Sequence, residues 1–175
     1  MEIAILDFIQ TLFKSPLMDR IMVLITTLGN EGILYYIILA LLLLNKKTRK
    51  LGVILGISML LNHIFSNMTL KPLFARTRPF DVNTAVEIII KKPSSYSFPS
   101  GHTAQAFTTA FAFLFAKSKF TKPMFVFACI MAFTRLYLYV HYPTDILGGI
   151  VCGLISGYIG YKLVEFILSK IKRAH

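Results

Sequence analysis

The chain has 175 residues, 55% of them apolar and 15% charged, with a mean hydropathy of +0.66. So few charges cannot solubilise an ordinary globular domain of this size, which excludes a water-soluble fold and points to an integral membrane protein. The net charge of +11 does not read as a nucleic-acid surface, because the basic residues fall in the short connections between apolar stretches.

In chain order, the first fourteen residues put Asp7, Gln10, Thr11 and Lys14 on one helical face and Ile5, Phe8, Ile9 and Leu12 on the other. That pattern predicts a short helix lying in the membrane interface. No basic region precedes the apolar run and no small-residue cleavage site follows it, so a removed signal peptide is not expected. Five apolar stretches then approach or reach the roughly 20 residues a helix needs to cross about 30 Å of hydrocarbon. They are residues 21–44, 51–70, 100–116, 124–140 and 146–168. The connections are short, so residues 1–175 read as one domain. The expected fold is all-α, a polytopic membrane helix bundle of about five transmembrane helices plus the N-terminal interfacial helix. Gly29-Asn30-Glu31-Gly32 interrupts the first stretch. A carboxylate there is costly in hydrocarbon, so either Glu31 faces the bundle interior or the span begins after a bent interfacial segment.

The basic residues cluster after the first stretch (Lys46, Lys47, Arg49, Lys50), the third (Lys117, Lys119, Lys122) and the fifth (Lys170, Lys172, Arg173). The positive-inside rule makes these clusters cytoplasmic. Five spans then put the N-terminus, residues 71–102 and residues 135–145 on the extracytoplasmic side of a multi-pass plasma (inner) membrane protein. Lys91 and Lys92, in the 80–98 loop, run against this bias.

Three groups of residues carry chemistry. In the first, Pro72 disfavours helix at the preceding residue, so Lys71 is expected at the mouth of the second span with its stem reaching the interface. Asn67 and His63, four and eight residues earlier, share its face; they either support Lys71 from inside the bundle or, more simply, hydrogen-bond neighbouring helices. Arg76 and Arg78 follow, in a loop stiffened by Pro79. A guanidinium can hold two phosphate oxygens at once, and Arg76 is read as a further phosphate contact or a solvated one. In the second group, Phe98-Pro99-Ser100-Gly101-His102, Ser100 is a natural N-cap and Gly101 lets the backbone approach a ligand closely. Free N–H groups at the helix start would face an anion, with His102 beside it. In the third group, Pro143 is tolerated at a first helical position, so the last span starts at Tyr142-Pro143 with Asp145 in its first turn. Asp145 can then accept a hydrogen bond from one ring nitrogen of His141, leaving the other free to attack.

The pattern Lys71-x6-Arg78-Pro79, Pro99-Ser100-Gly101-His102 and Arg135-x5-His141-x3-Asp145 resembles the three-part signature of the type 2 phosphatidic acid phosphatase family. These are membrane lipid phosphatases related to vanadate-dependent haloperoxidases and to glucose-6-phosphatase. Residues 71–145 carry the match directly, and Thr134 stands where the family usually has Ser. The resemblance implies that His141 is the nucleophile, that Asp145 orients it, and that His102 protonates the leaving oxygen. Lys71, Arg78, Arg135, the Ser100 hydroxyl and the Gly101 backbone would hold the phosphate, with Thr134 and Arg76 as possible further contacts. It implies neither metal nor other cofactor. Small five-span members of the family often act on undecaprenyl diphosphate; others act on phosphatidylglycerophosphate, phosphatidic acid or lipid A. The expected partners are the lipid bilayer and a membrane lipid substrate. A non-enzymatic alternative is a binder or transporter of anionic lipids. The sequence leaves the oligomeric state open.

Three further readings concern packing. Ala85 to Ile90, apolar apart from Glu87, either dips into the interface beside an entry route or packs on the bundle. Gly149, Gly153 and Gly157 recur every four residues and form a face for close helix packing, within one subunit or between two. Cys129 and Cys152 lie in apolar stretches, where neither a disulfide framework nor a metal site is expected.

Overall fold

The computed structural model describes residues 1–174, the side chains of Glu31 and Ala174 excepted, so the alternatives for the Glu31 side chain lie outside the described residues. All regular structure among them is helical: α1 (Glu2–Phe13), α2 (Pro16–Leu28), α3 (Ile33–Leu44), α4 (Arg49–Asn62) running on through a π-helical stretch (His63–Leu70) into α5 (Lys71–Phe74), then α6 (Pro79–Val82), α7 (Gly101–Phe115), α8 (Thr121–Tyr137) and α9 (Pro143–Ala174).

By length and composition, the Arg49–Val82 stretch and α9 can each cross a membrane, and α2 with α3, bent by 47° between them, would make a third span. This is fewer than the five expected. α7 and α8, with 15 and 17 residues, are shorter than a full crossing; α7 lies within the expected 100–116, and α8 starts three residues before the expected 124–140 and stops three residues short of its end, where a turn begins at Leu138. Glu2 to Phe13 does form a separate helix, as the amphipathic pattern predicts. Leu6 and Ile9 are its buried residues, and two residues of its polar face reach protein: Tyr139 Oη donates to Asp7 Oδ1 (2.7 Å) and Gln10 Nε2 donates to Tyr137 O, while Thr11 and Lys14 stay exposed. Phe8 and Leu12 face outward, 64% and 59% exposed.

Small residues set the packing. A Cβ on Gly149 would lie 2.9 Å from Ser100 O and 3.0 Å from Ala104 N; on Gly153, 2.7 Å from Thr108 N; on Gly157, 2.8 Å from Phe111 Cβ. The rising numbers on both sides show α7 and α9 running parallel with their backbones in contact, so this glycine face packs within one subunit. α4 runs antiparallel to α9, with Ser58 N 3.0 Å from a Cβ on Gly160 and Lys50 paired with Glu165. These pairings bring the three basic clusters to one end of the bundle and the starts of α7 and α9 to the other.

Pro72 does not end its helix. Lys71 N donates to Ser66 O, one residue further back than in an α-helix, and this wider winding carries the chain through the proline. Lys71 is consequently buried, 8% exposed, instead of reaching out to the interface. The 83–98 loop packs on the bundle: Val86, Ile88 and Ile90 lie against Leu6, Phe80 and Tyr139, while the intervening Ile89 is exposed.

Candidate active site

The start of α7 is tied to the start of α9. Ser100 Oγ caps α7 by accepting from Thr103 Oγ1 (2.9 Å) and Thr103 N, and Ser100 N donates to Asp145 O (3.0 Å). The first-turn N–H groups of Gly101 and His102 have no carbonyl one turn back to bond.

His141 stands between α8 and α9 and is 2% exposed. Its Nε2 lies 3.3 Å from Arg78 Nη1. A guanidinium only donates, so Nε2 is the unprotonated nitrogen and the proton sits on Nδ1, which faces Asp145 Oδ2 at 3.4 Å. Burial foremost, and then the neighbouring Arg78, Arg135 and Lys71, hold the His141 pKa well below the usual histidine value against the opposing pull of Asp145. A neutral imidazole with its lone pair beside cations is a poised nucleophile.

Asp145 is fully buried and held from three sides. Oδ2 accepts from Ser97 Oγ (2.5 Å) and Tyr142 N (2.9 Å), and Oδ1 from Arg76 Nη1 (2.6 Å). Arg76 also donates to Thr144 Oγ1 (2.6 Å) and Glu2 Oε2 (2.5 Å) and stacks over the Tyr142 ring at 3.9 Å. Three of its donors are thus committed to two carboxylates and a hydroxyl, and it is absent from the cavity wall. Arg76, expected as a phosphate contact or a solvated residue, here meets Asp145 and Glu2 and stands outside the cavity.

The other cations line a cavity of about 910 Å³ together with Gly101, His102 and His141, within the range typical of ligand sites. Lys71 Nζ donates to Tyr96 O (2.9 Å). Arg78 is braced by Ser95 O (2.7 Å) and Val140 O (2.8 Å). Arg135, 3% exposed, donates to Thr26 Oγ1, and its Nε has no partner. His102 Nε2 lies 3.1 Å from Asn30 Oδ1. Lys91 and Lys92 stand on the rim. Among the described residues no carboxylate lines this space, which five cations face.

Two expected contacts lie elsewhere. Ser100 is fully buried as the cap of α7 and is absent from the wall. Thr134, also fully buried, turns its Oγ1 back to Met131 O (2.7 Å). Both hydroxyls serve their own helices. Asn67 and His63 do line the cavity; they pair with each other (3.3 Å), not with a neighbouring helix.

Residues 47–168 match the profile of the PAP2 superfamily. The chain belongs to this family. It is 31% identical over 149 residues to an undecaprenyl-diphosphatase of Sulfolobus acidocaldarius, covering 85% of this chain and 70% of that one. Among solved structures it is similar to Aquifex aeolicus LpxE, with a TM-score of 0.80 and 28% identity over 92% of this chain and 94% of that one. It is likewise similar to a transmembrane PAP2-type phosphatidylglycerolphosphate phosphatase of Bacillus subtilis, with a TM-score of 0.74 and 28% identity over 99% and 87% of the two chains. The protein is therefore a membrane PAP2 phosphatase acting on lipid phosphates.

Several residues of this PAP2 site were not singled out from sequence. Ser97, Glu2 and Thr144 brace Asp145 or its arginine, Thr26 meets Arg135, and Asn30 meets His102. Ser97 stood beside a motif and Thr144 within one, and Asn30 in the turn that interrupts the first apolar stretch. Glu2 and Thr26 come from α1 and α2, and nothing in their local pattern distinguishes them from interfacial polar residues.

Proposed function

We propose that this PAP2 protein hydrolyses the terminal phosphate of a lipid diphosphate or monoester through a phosphohistidine on His141, without a metal, at the extracytoplasmic face of the plasma membrane. The observation that carries the reading is His141 Nε2, 3.3 Å from Arg78 Nη1, on a cavity walled by Lys71, Arg78, Arg135 and His102. The Nε2 lone pair forms a bond to phosphorus while the bond to the leaving oxygen breaks, and His102, as imidazolium, gives that oxygen its proton. Lys71, Arg78, Arg135 and the N–H of Gly101 stabilise charge on the equatorial oxygens. Water then attacks phosphorus, the N–P bond breaks, and neutral His102 takes the water proton.

Sidedness follows from charge: the three basic clusters share the end of the bundle away from the cavity, which the positive-inside rule makes cytoplasmic. As substrate we favour undecaprenyl diphosphate, the compound named for the Sulfolobus relative, because Lys91 and Lys92 on the rim can take a second phosphate. Phosphatidylglycerophosphate, phosphatidic acid and lipid A phosphate remain alternatives within the same chemistry.

The test is phosphate release by the detergent-solubilised protein from undecaprenyl diphosphate in EDTA, beside His141→Ala. EDTA-resistant release lost in the variant, with an acid-labile, base-stable phosphoprotein trapped on quenching, is expected. Undiminished release by His141→Ala would overturn the mechanism. Binding without release by the unaltered protein would leave a binder or transporter.

A further inference from the structure

The first apolar stretch is broken where it meets His102. α2 ends at Leu28, a single tight turn covers Asn30–Gly32, and α3 starts at Ile33. Gly32, at φ 72°, takes the left-handed backbone that favours glycine. The turn so made seats the His102 ring. A Cβ on Gly29 would lie 2.7 Å from His102 Cδ2, so that edge of the ring rests on bare backbone. On the same edge, His102 Nε2 lies 3.1 Å from Asn30 Oδ1. Nδ1 is bonded to neither Cδ2 nor Nε2, so it is the nitrogen left for chemistry, on a residue that lines the cavity.

An acid needs an acceptor for each N–H, and the surroundings supply one on the seated edge. The Thr26 carbonyl, which can only accept, stands by the same ring, and Asn30 presents its oxygen there. The charged groups facing His102 are Arg135 of α8, Lys71 of α5 and Arg78 just before α6, with His63 and His141 across the cavity; α7 itself brings no charge. Like charges oppose an imidazolium. The acid form of His102 therefore depends on an acceptor for the N–H that does not reach the leaving oxygen, and Asn30 Oδ1 is placed to be that acceptor.

We infer that Asn30 is a positioning residue: by accepting from His102 Nε2 it fixes the ring and its tautomer, so that Nδ1 is the nitrogen that carries the transferred proton. This rests on the phosphatase reading above and gives the break in the first span a part in the chemistry. In the first step imidazolium His102 gives its Nδ1 proton to the leaving oxygen as the bond from that oxygen to phosphorus breaks, and keeps its Nε2 proton on Asn30. The neutral ring then has its lone pair on Nδ1. That lone pair takes a proton from the water that attacks the phosphohistidine, which restores the imidazolium.

The experiment follows the His102 ring in a histidine-labelled sample in detergent, identified by the signals missing from His102→Gln, beside kcat/KM on undecaprenyl diphosphate across pH. Neutral His102 is expected with its proton on Nε2. Asn30→Asp keeps an oxygen at that proton and adds a charge, so His102 should titrate about one pH unit higher or more, and the alkaline limb of kcat/KM should move with it. Asn30→Ala should lower kcat roughly tenfold or more with KM changed little, and Asn30→Asp should recover part of the loss. A neutral His102 protonated on Nδ1 in the unaltered protein would overturn the inference without any variant. So would Asn30→Ala with kcat and pH profile unchanged, or Asn30→Asp with the titration of His102 unmoved. Each of these overturns the inference alone, whereas no release from any lipid by the unaltered protein would remove the phosphatase reading and the inference with it.

Discussion

Arg76 Nη1 lies 2.6 Å from Asp145 Oδ1, the carboxylate oxygen that does not face His141. Because Arg76 also holds Glu2, the N-terminal helix is connected through two ion pairs to Asp145, which in the proposed mechanism orients His141. Loss of the guanidinium would let Asp145, and with it His141, drift from its line of attack, and small misplacements cost up to about 100-fold in rate. Arg76→Ala should therefore lower kcat roughly 10- to 100-fold with KM changed little, Arg76→Lys should recover part of it, and Glu2→Gln should show a smaller loss in kcat. A rise in KM with kcat intact would instead make Arg76 a substrate contact.

Ser97→Ala removes the 2.5 Å hydrogen bond to Asp145 Oδ2 inside a fully buried cluster. A bond to a buried charge contributes about 1.5–3 kcal/mol. The variant is expected to unfold at lower temperature in detergent and to turn over more slowly. Unchanged melting and rate would show that Tyr142 N and Arg76 suffice to hold the carboxylate.

Burial and the three cations lower the pKa of His141, so the folded protein refuses a proton that the unfolded chain accepts near pH 6.5. The sign follows: as pH falls below about 6.5 the unfolded state gains protons and stability declines, whereas above it this contribution is complete. The His141 ring signals in a histidine-labelled sample should remain those of the neutral, Nδ1-protonated tautomer at pH 6.0. Half-protonation at pH 6.5 would contradict the geometry.

Gly153→Ala would place a methyl 2.7 Å from Thr108 N and 2.8 Å from Phe107 Cβ. Neither can move without shifting α7, and overpacking of this kind costs about 1–3 kcal/mol. A lower melting temperature is expected, with weaker activity because α7 carries Gly101 and His102. Gly56→Ala, where the new methyl meets only Leu39 side-chain atoms at 3.5 Å and 3.8 Å, should be close to neutral.

Much of this protein can be read from its sequence because membrane helices and helix starts obey local rules. The apolar stretches demand helices, Ser100 and Pro143 mark the starts of α7 and α9, and Asp145 falls in the first turn of α9, near enough to His141 just before that helix to face it. The spacing of glycines on α9 likewise announces close packing. Tertiary structure alone decides which helices meet. It brings Asp7 of α1 to Tyr139, commits Arg76 to Asp145, withdraws Ser100 and Thr134 into their own helices, and draws Thr26 and Asn30 to Arg135 and His102. The physical reason is the reach of the interactions. Capping, proline geometry and hydropathy act within a turn or a span. The partners of a buried charge, by contrast, lie 69 and 109 positions away in the pairs Arg76–Asp145 and Thr26–Arg135, where only the packed bundle can bring them together.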